Sequence, residues 1–163
     1  LPAKDKSAPP SYQTLLKEQI PVVDLGNGTL RVIAGAYKGA TGPARTFSDL
    51  HVWDVDLQAG ASASIDIAKG DNAMIALFSG AIEIAGHKLA QAGLLMFAQT
   101  GESLDFKVDR DAKMLVLCGK PLGEPIVAQG PFVMNTQEEI RQAMADFRAG
   151  KMGRLDYFET QGA

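Results

Sequence analysis

Short apolar runs, punctuated at near-regular intervals by Gly, Asp and Lys-Gly clusters, are the feature that most limits what this chain can fold into. They fall at 62–67, 73–78, 81–84, 94–98, 103–108, 113–118 and 125–128. Upstream, Val22-Val23-Asp24-Leu25 and Leu30-Arg31-Val32-Ile33 flank Gly26-Asn27-Gly28, a hairpin signal because Gly and Asn accept positive φ. Residues 50–57 alternate. His51, Trp53, Val55 and Leu57 form the apolar, core-facing set, and Leu50, Val52, Asp54 and Asp56 point the other way. Many short strands with turn signals every eight to twelve residues or so predict an all-β sandwich or barrel.

One segment breaks the pattern. Asn135 or Thr136 can cap a helix, with Glu138 or Glu139 at its third position, and Ile140, Ala143, Met144 and Phe147 recur at helical spacing as one apolar stripe. Gly150 ends the helix. The organisation predicted is an extended linker over 1–21, with one helical turn around Tyr12–Gln19, a β domain over 22–134, a helix over 135–150 and a polar tail over 151–163.

Composition narrows the function classes. Of 163 residues, 46% are hydrophobic and 21% charged, which suits a soluble fold with a real core. The net charge of −3 carries no basic patch, so direct nucleic-acid binding is not expected. No apolar stretch approaches a membrane span. Cys118, the single cysteine, sits in the strand-like Met114-Leu115-Val116-Leu117 run and reads as a buried small hydrophobe. The Leu-Pro-Ala-Lys-Asp-Lys start has no initiator Met and no signal-peptide core, so the chain reads as a piece of something longer. A cytoplasmic location is the default expectation.

Three stretches carry a family resemblance. The first is Leu1-Pro2-Ala3-Lys4-Asp5-Lys6 with Pro10 and Tyr12-Gln13. The second is Arg31-Val32-Ile33-Ala34-Gly35 followed by Gly42-Pro43-Ala44-Arg45-Thr46. The most specific is Glu124-Pro125-Ile126-Val127, then Gln129-Gly130-Pro131-Phe132-Val133-Met134-Asn135-Thr136 opening the Glu138-Glu139-Ile140 helix. Together they resemble the C-terminal cupin half of the pirin family, with its inter-domain linker. The resemblance implies a cupin-type antiparallel β-barrel or jelly roll with one C-terminal α-helix, one half of a bicupin. It implies that a single metal, Fe(II) or another divalent ion, sits on three His and one Glu of an N-terminal barrel upstream of Leu1. It implies quercetin 2,3-dioxygenase-like oxygenation in some members and regulation through protein partners in others.

The chain can be tested for a metal site of its own. A cupin site places an H-x-H pair, a Glu and a later His in one lumen, through period-two alternation. With Gly60 and Gly80 as the glycine frame, the His slots fall on Asp66 and Ala68, and the Glu slot on Ala73 or Asn72. After Gly93, the last His slot falls on Met96. Alanine cannot ligate, and one Asp with a thioether is a poor site for a divalent ion. No metal, cofactor or catalytic residue is therefore expected in this chain.

The other candidates have plain readings. His51 is a packed or rim histidine, and His87, after Gly86, a solvated one. Asp54 and Asp56 share a face two residues apart, which suits a solvated outer face before acid–base work. Gly39–Gly42 is too short for a phosphate loop, and Arg45 is a possible groove residue. Three functions follow. The first is a structural and interaction half that binds its own N-terminal cupin or self-associates. The second is part of an oxygenase whose active site lies upstream. The third is a small-molecule barrel with Ala68, Ala73 and Met96 lining its lumen.

Overall fold

The structure, a computed structural model, describes residues 1–153. Of the expected tail at 151–163, residues 154–163 lie outside the described residues. The chain divides into two compact units, Pro9–Leu122 and a terminal unit made of Leu1–Ala8 with Gly123–Ala163.

The larger unit holds ten strands in chain order. They are β1 (Val22–Asp24), β2 (Gly28–Ala34), β3 (Ala36–Tyr37), β4 (Ala40–Thr41), β5 (Leu50–Leu57), β6 (Ser62–Asp66), β7 (Asn72–Ile84), β8 (His87–Leu89), β9 (Gly93–Phe97) and β10 (Ser103–Gly119). Eight of them form one antiparallel sheet in the order β1-β2-β5-β10-β7-β8, with β6 on β10 and β9 on β7. The β3–β4 pair stands apart. The predicted hairpin is present, with Asp24 opposite Thr29 and the Asp24 carboxylate accepting the Gly26 N–H at 2.7 Å. Asp24 thereby fixes the turn locally.

Alternation in β5 is as expected: Trp53, Val55 and Leu57 are buried, and Asp56 is exposed. They join Leu30, Ile75, Phe106, Met114 and Val116 in one core. Each such side chain contributes about 1.5–3 kcal/mol on burial. The Trp53 ring lies 5.0 Å from that of Tyr37.

Two predicted strand pairs fuse. The runs at 73–78 and 81–84 become the single strand β7, and those at 103–108 and 113–118 become β10. Sequence reading placed breaks at Gly80 and at Asp109-Arg110-Asp111. Instead both strands bend there, with register shifts between Val108 and Met114. Gly80 is required at the bend. Its φ is +99°, and a Cβ would sit 2.2 Å from the Asp111 carbonyl oxygen. The polar cluster holds the bulge. Arg110 donates to the Gly80 and Ala90 carbonyls at 3.2 and 2.6 Å, and Asp111 accepts the Ala59 N–H at 2.8 Å. The bend lets the outer edge of β10 pair first with β6 and then with β5.

In the terminal unit, β11 (Val127–Gln129) and β12 (Phe132–Met134) form a hairpin, and α1 (Gln137–Arg148) follows. The strand predicted at 125–128 is thus shorter and shifted, and β12 was not anticipated. The helix start is as expected. Thr136 is the N-cap and accepts from the Glu139 N–H, while the Glu139 carboxylate accepts from the Asn135 and Thr136 N–H groups at 2.9 and 2.8 Å. Of the predicted stripe, Ile140 and Ala143 are buried. Phe147 is 63% exposed, its ring edge-on to that of Phe132 with centroids 6.0 Å apart.

Candidate functional site

The four ligand slots read from the sequence do not converge. Asp66 ends β6 and is exposed, Ala68 lies beyond the strand and is exposed, as is Asn72, and Met96 is 80% exposed. Only Ala73 faces the core. The alternation runs one residue out of step with the slots: Ile65 is fully buried, and Ile67, Leu95 and Phe97 pack on the core. The inward residues are therefore two isoleucines, an alanine, a leucine and a phenylalanine, none of which can ligate a metal, so the residues present do not fit the family's ion. Among the described residues, no group of three His, Cys, Asp or Glu side chains could hold a metal. The expected lumen lining by Ala68, Ala73 and Met96 is corrected by the same geometry.

Among the remaining candidates, His51 and Cys118 stand directly opposite each other on β5 and β10. His51 is half-buried. Its Nδ1 accepts the Ala36 N–H at 3.1 Å, and its ring lies 5.2 Å from Trp53. Its ring is thus packed and held by the backbone of Ala36. His87 is exposed at the start of β8. Cys118 is buried, and burial, with Asp71 adding to it, pushes its thiol up to about 12. It is a protonated packing group and a poor nucleophile. Asp54 pairs with Arg31, and Asp56 with Lys113 at 3.2 Å, so both belong to an ion-paired outer face. The backbone of Arg45 is held at both polar groups by one side chain. The Gln13 amide donates to the Arg45 carbonyl at 2.8 Å and accepts its N–H at 2.9 Å.

A concavity lies elsewhere, at one end of the sheet, where β5 and β7 begin and β9 and β10 finish. It encloses about 590 Å³. Register brings Val52, Leu117, Met74 and Met96 into one cross-strand row over β5, β10, β7 and β9. The row spans three inter-strand steps, about 14 Å. Its residues alternate with the buried Trp53, Cys118, Ala73 and the core-packed Leu95 and Phe97, so the row belongs to the outer face. Leu115, Ala76 and Leu94 form the next row, and Phe78 is also exposed. Gly119 closes the end. A Cβ there would lie 2.7 Å from the Asp49 carbonyl oxygen, so the backbone of Asp49 and Leu50 folds close over it. Lys120 and Asp49, 3.3 Å apart, stand at the polar rim.

The apolar row itself carries no proton-transfer group, although His51, Asp49 and Lys120 line the same concavity. What it offers is apolar area with two flexible thioethers, which suits contact with another apolar surface. Sequence reading missed it, though a signal was present. Ala73–Phe78 and Met114–Cys118 are continuous apolar runs, and strands buried on one face alone alternate.

Comparison with known proteins agrees with this architecture. Residues 52–153 match the model of the pirin C-terminal cupin domain. A Pseudomonas aeruginosa protein provisionally named a quercetin 2,3-dioxygenase is 42% identical over 156 residues, covering 94% of this chain and 54% of the relative. Human pirin is 34% identical over 160 residues, with 94% and 54% covered. The crystal structure of a quercetin 2,3-dioxygenase from Acinetobacter baumannii superposes with a TM-score of 0.89 at 37% identity, covering 96% of this chain and 55% of that one. The chain spans about half the length of the curated relatives it matches. Among the described residues, no helix is long and apolar enough to cross a membrane. With its antiparallel cupin fold, its single described α-helix and relatives along nearly its whole length, the chain belongs to the pirin family and contains that family's C-terminal cupin domain.

Proposed function

We propose that this chain is the metal-less, structural and interaction domain of a pirin-like protein, and that it braces an N-terminal cupin half carrying Fe(II) or another divalent metal. The observation that carries the reading is the apolar outer face of the sheet, above all the exposed Met96, Leu94 and Phe78 beside Met74 and Leu117. The outer face of a self-sufficient sandwich is polar. Here the Arg31–Asp54 and Lys113–Asp56 pairs stand on the β5 side, with Asp54 in the same row as Leu115, Ala76 and Leu94, and the β9 side is apolar. An apolar patch of this kind is covered by a partner, and the relatives hold nearly as much chain again as is matched here. The apolar inward residues at the slots support placing the chemistry outside this chain. A cytoplasmic location goes with the proposal.

The test is light scattering on the purified chain. The reading predicts self-association, weakened by Leu94→Asp with Met96→Asp. A clean monomer at tens of micromolar would count against it.

A second reading is favoured by the names of the relatives: the parent is a quercetin 2,3-dioxygenase-like oxygenase whose active site lies upstream. An H-x-H, Glu and His set encoded ahead of Leu1 would support it, and an upstream half without one would sink it.

A further inference from the structure

A second concavity of the larger unit is lined by Ser11, Gln13, Arg45, Thr46 and Phe47 and encloses about 490 Å³. It shares no lining residue with the concavity at the end of the sheet. Its size falls within the range of small-molecule sites.

The loop that carries Arg45 is held along its length. The Gly42 N–H donates to the Gly35 carbonyl at 2.8 Å and the Ala44 N–H to the Ile33 carbonyl at 3.0 Å, which seats the loop on the end of β2. Ala34 and Ala44 form a parallel bridge there. The Gln13 amide takes both backbone groups of Arg45, and the Thr46 hydroxyl donates to the Ser48 carbonyl at 2.9 Å. A side-chain amide carries an acceptor beside its donors, so it pairs with a peptide backbone as a neighbouring strand would. Gln13 and Arg45 are 32 positions apart, so this pairing also fixes an irregular segment against the loop.

The lining carries a single charge. It holds one guanidinium, one amide and two hydroxyls, and no carboxylate. Among the described residues, no ion pair engages Arg45, whereas Arg31 is paired with Asp54. Phe47, 49% exposed, adds a flat apolar wall. A guanidinium presents parallel N–H donors that match the two oxygens of a carboxylate. One fixed cation balances one negative charge and leaves a phosphate dianion half matched. With the Arg45 backbone already held, less ordering remains to be done on binding.

We infer that this concavity binds a small aromatic carboxylate, its acid group on the Arg45 guanidinium and its ring against Phe47, with the Ser11 and Thr46 hydroxyls at the edge.

The test is isothermal titration of the purified 163-residue chain with naphthoate, with its neutral isostere naphthamide and with inorganic phosphate. Saturable binding of one naphthoate per chain is expected, with a Kd below about 1 mM. The amide should bind about tenfold or more weakly, and Arg45→Gln should weaken naphthoate as much, because each removes the charge-assisted pair. Arg45→Lys should restore only part of the loss, since an ammonium lacks the fork. Arg45 is exposed, and an unchanged thermal midpoint verifies each fold. Absence of saturable naphthoate binding overturns the site. Equal binding of the amide, or full binding by Arg45→Gln, overturns the role of the guanidinium. Phosphate held more tightly than naphthoate overturns the aromatic assignment. Loss of binding on Leu94→Asp with Met96→Asp, and not on Arg45→Gln, places the ligand on the sheet face and overturns the proposal as well.

Discussion

The two units reach order by different routes. The sheet unit has a contiguous core that includes Trp53, Phe106 and Met114. Among the described residues of the terminal unit, hydrogen bonds involving Glu124, Asn135 and Glu139 tie the segments together, and Ile140 and Ala143 are buried apolar groups. Burial scales with apolar area, whereas an exposed hydrogen bond nets about 1 kcal/mol. A region held mainly by caps and charge-assisted bonds is one whose apolar residues remain available to another surface. Among the described residues, both units keep apolar side chains outside.

The comparison can be broken at several points. The largest effect is expected at Phe106, which is 2% exposed in the core. Phe106→Ala should cost about 3–5 kcal/mol, read as a lower urea midpoint by Trp53 fluorescence. A loss under about 1 kcal/mol would mean that the core is not where the sheet unit's stability lies.

Gly80 comes next. Gly80→Ala puts a side chain at φ +99° against the Asp111 carbonyl. A cost of about 1–3 kcal/mol is expected for the strained backbone. An alanine tolerated without loss would show that the β7 bend is not held at this residue.

Thr136→Ala removes the α1 N-cap and should cost about 1 kcal/mol. The loss should appear as faster amide exchange in α1, with protection in β5 and β10 unchanged. Equal acceleration in both units would merge them into one cooperative block.

The smallest effect is acid-dependent. Hydrogen bonds from the Asn135 and Thr136 N–H groups hold the Glu139 carboxyl below its ordinary value. A depressed carboxyl stabilises the fold fully above its unfolded pKa of about 4.3, and the contribution is lost as pH falls through the folded value. Exchange in α1 should therefore quicken below about pH 4, and Glu139→Gln should flatten that dependence.

Much of this fold was legible in local pattern. The β5 alternation, the Asp24–Gly28 turn and the Thr136–Glu139 capping box each depend on residues within a few positions of one another. What was illegible is non-local or ambiguous by nature. A Gly or an Asp-Arg-Asp cluster marks a turn and a bulge equally well, and only the reach of Arg110 to Gly80 and Ala90 decides for the bulge. The ligand slots failed because fixed spacing from Gly60 assumes a register. The burial of Ile65 shows the opposite one. The Ala3–Glu124 bond joins residues 121 apart, a distance no periodicity reaches.

The central claim is that this chain contributes no metal chemistry of its own. Elemental analysis of the purified 163-residue protein for Fe, Mn, Ni, Cu and Zn tests it most directly. The account predicts far less than one equivalent of any of them. One tightly held ion per chain, lost on substitution of His51 or Asp66, would contradict it.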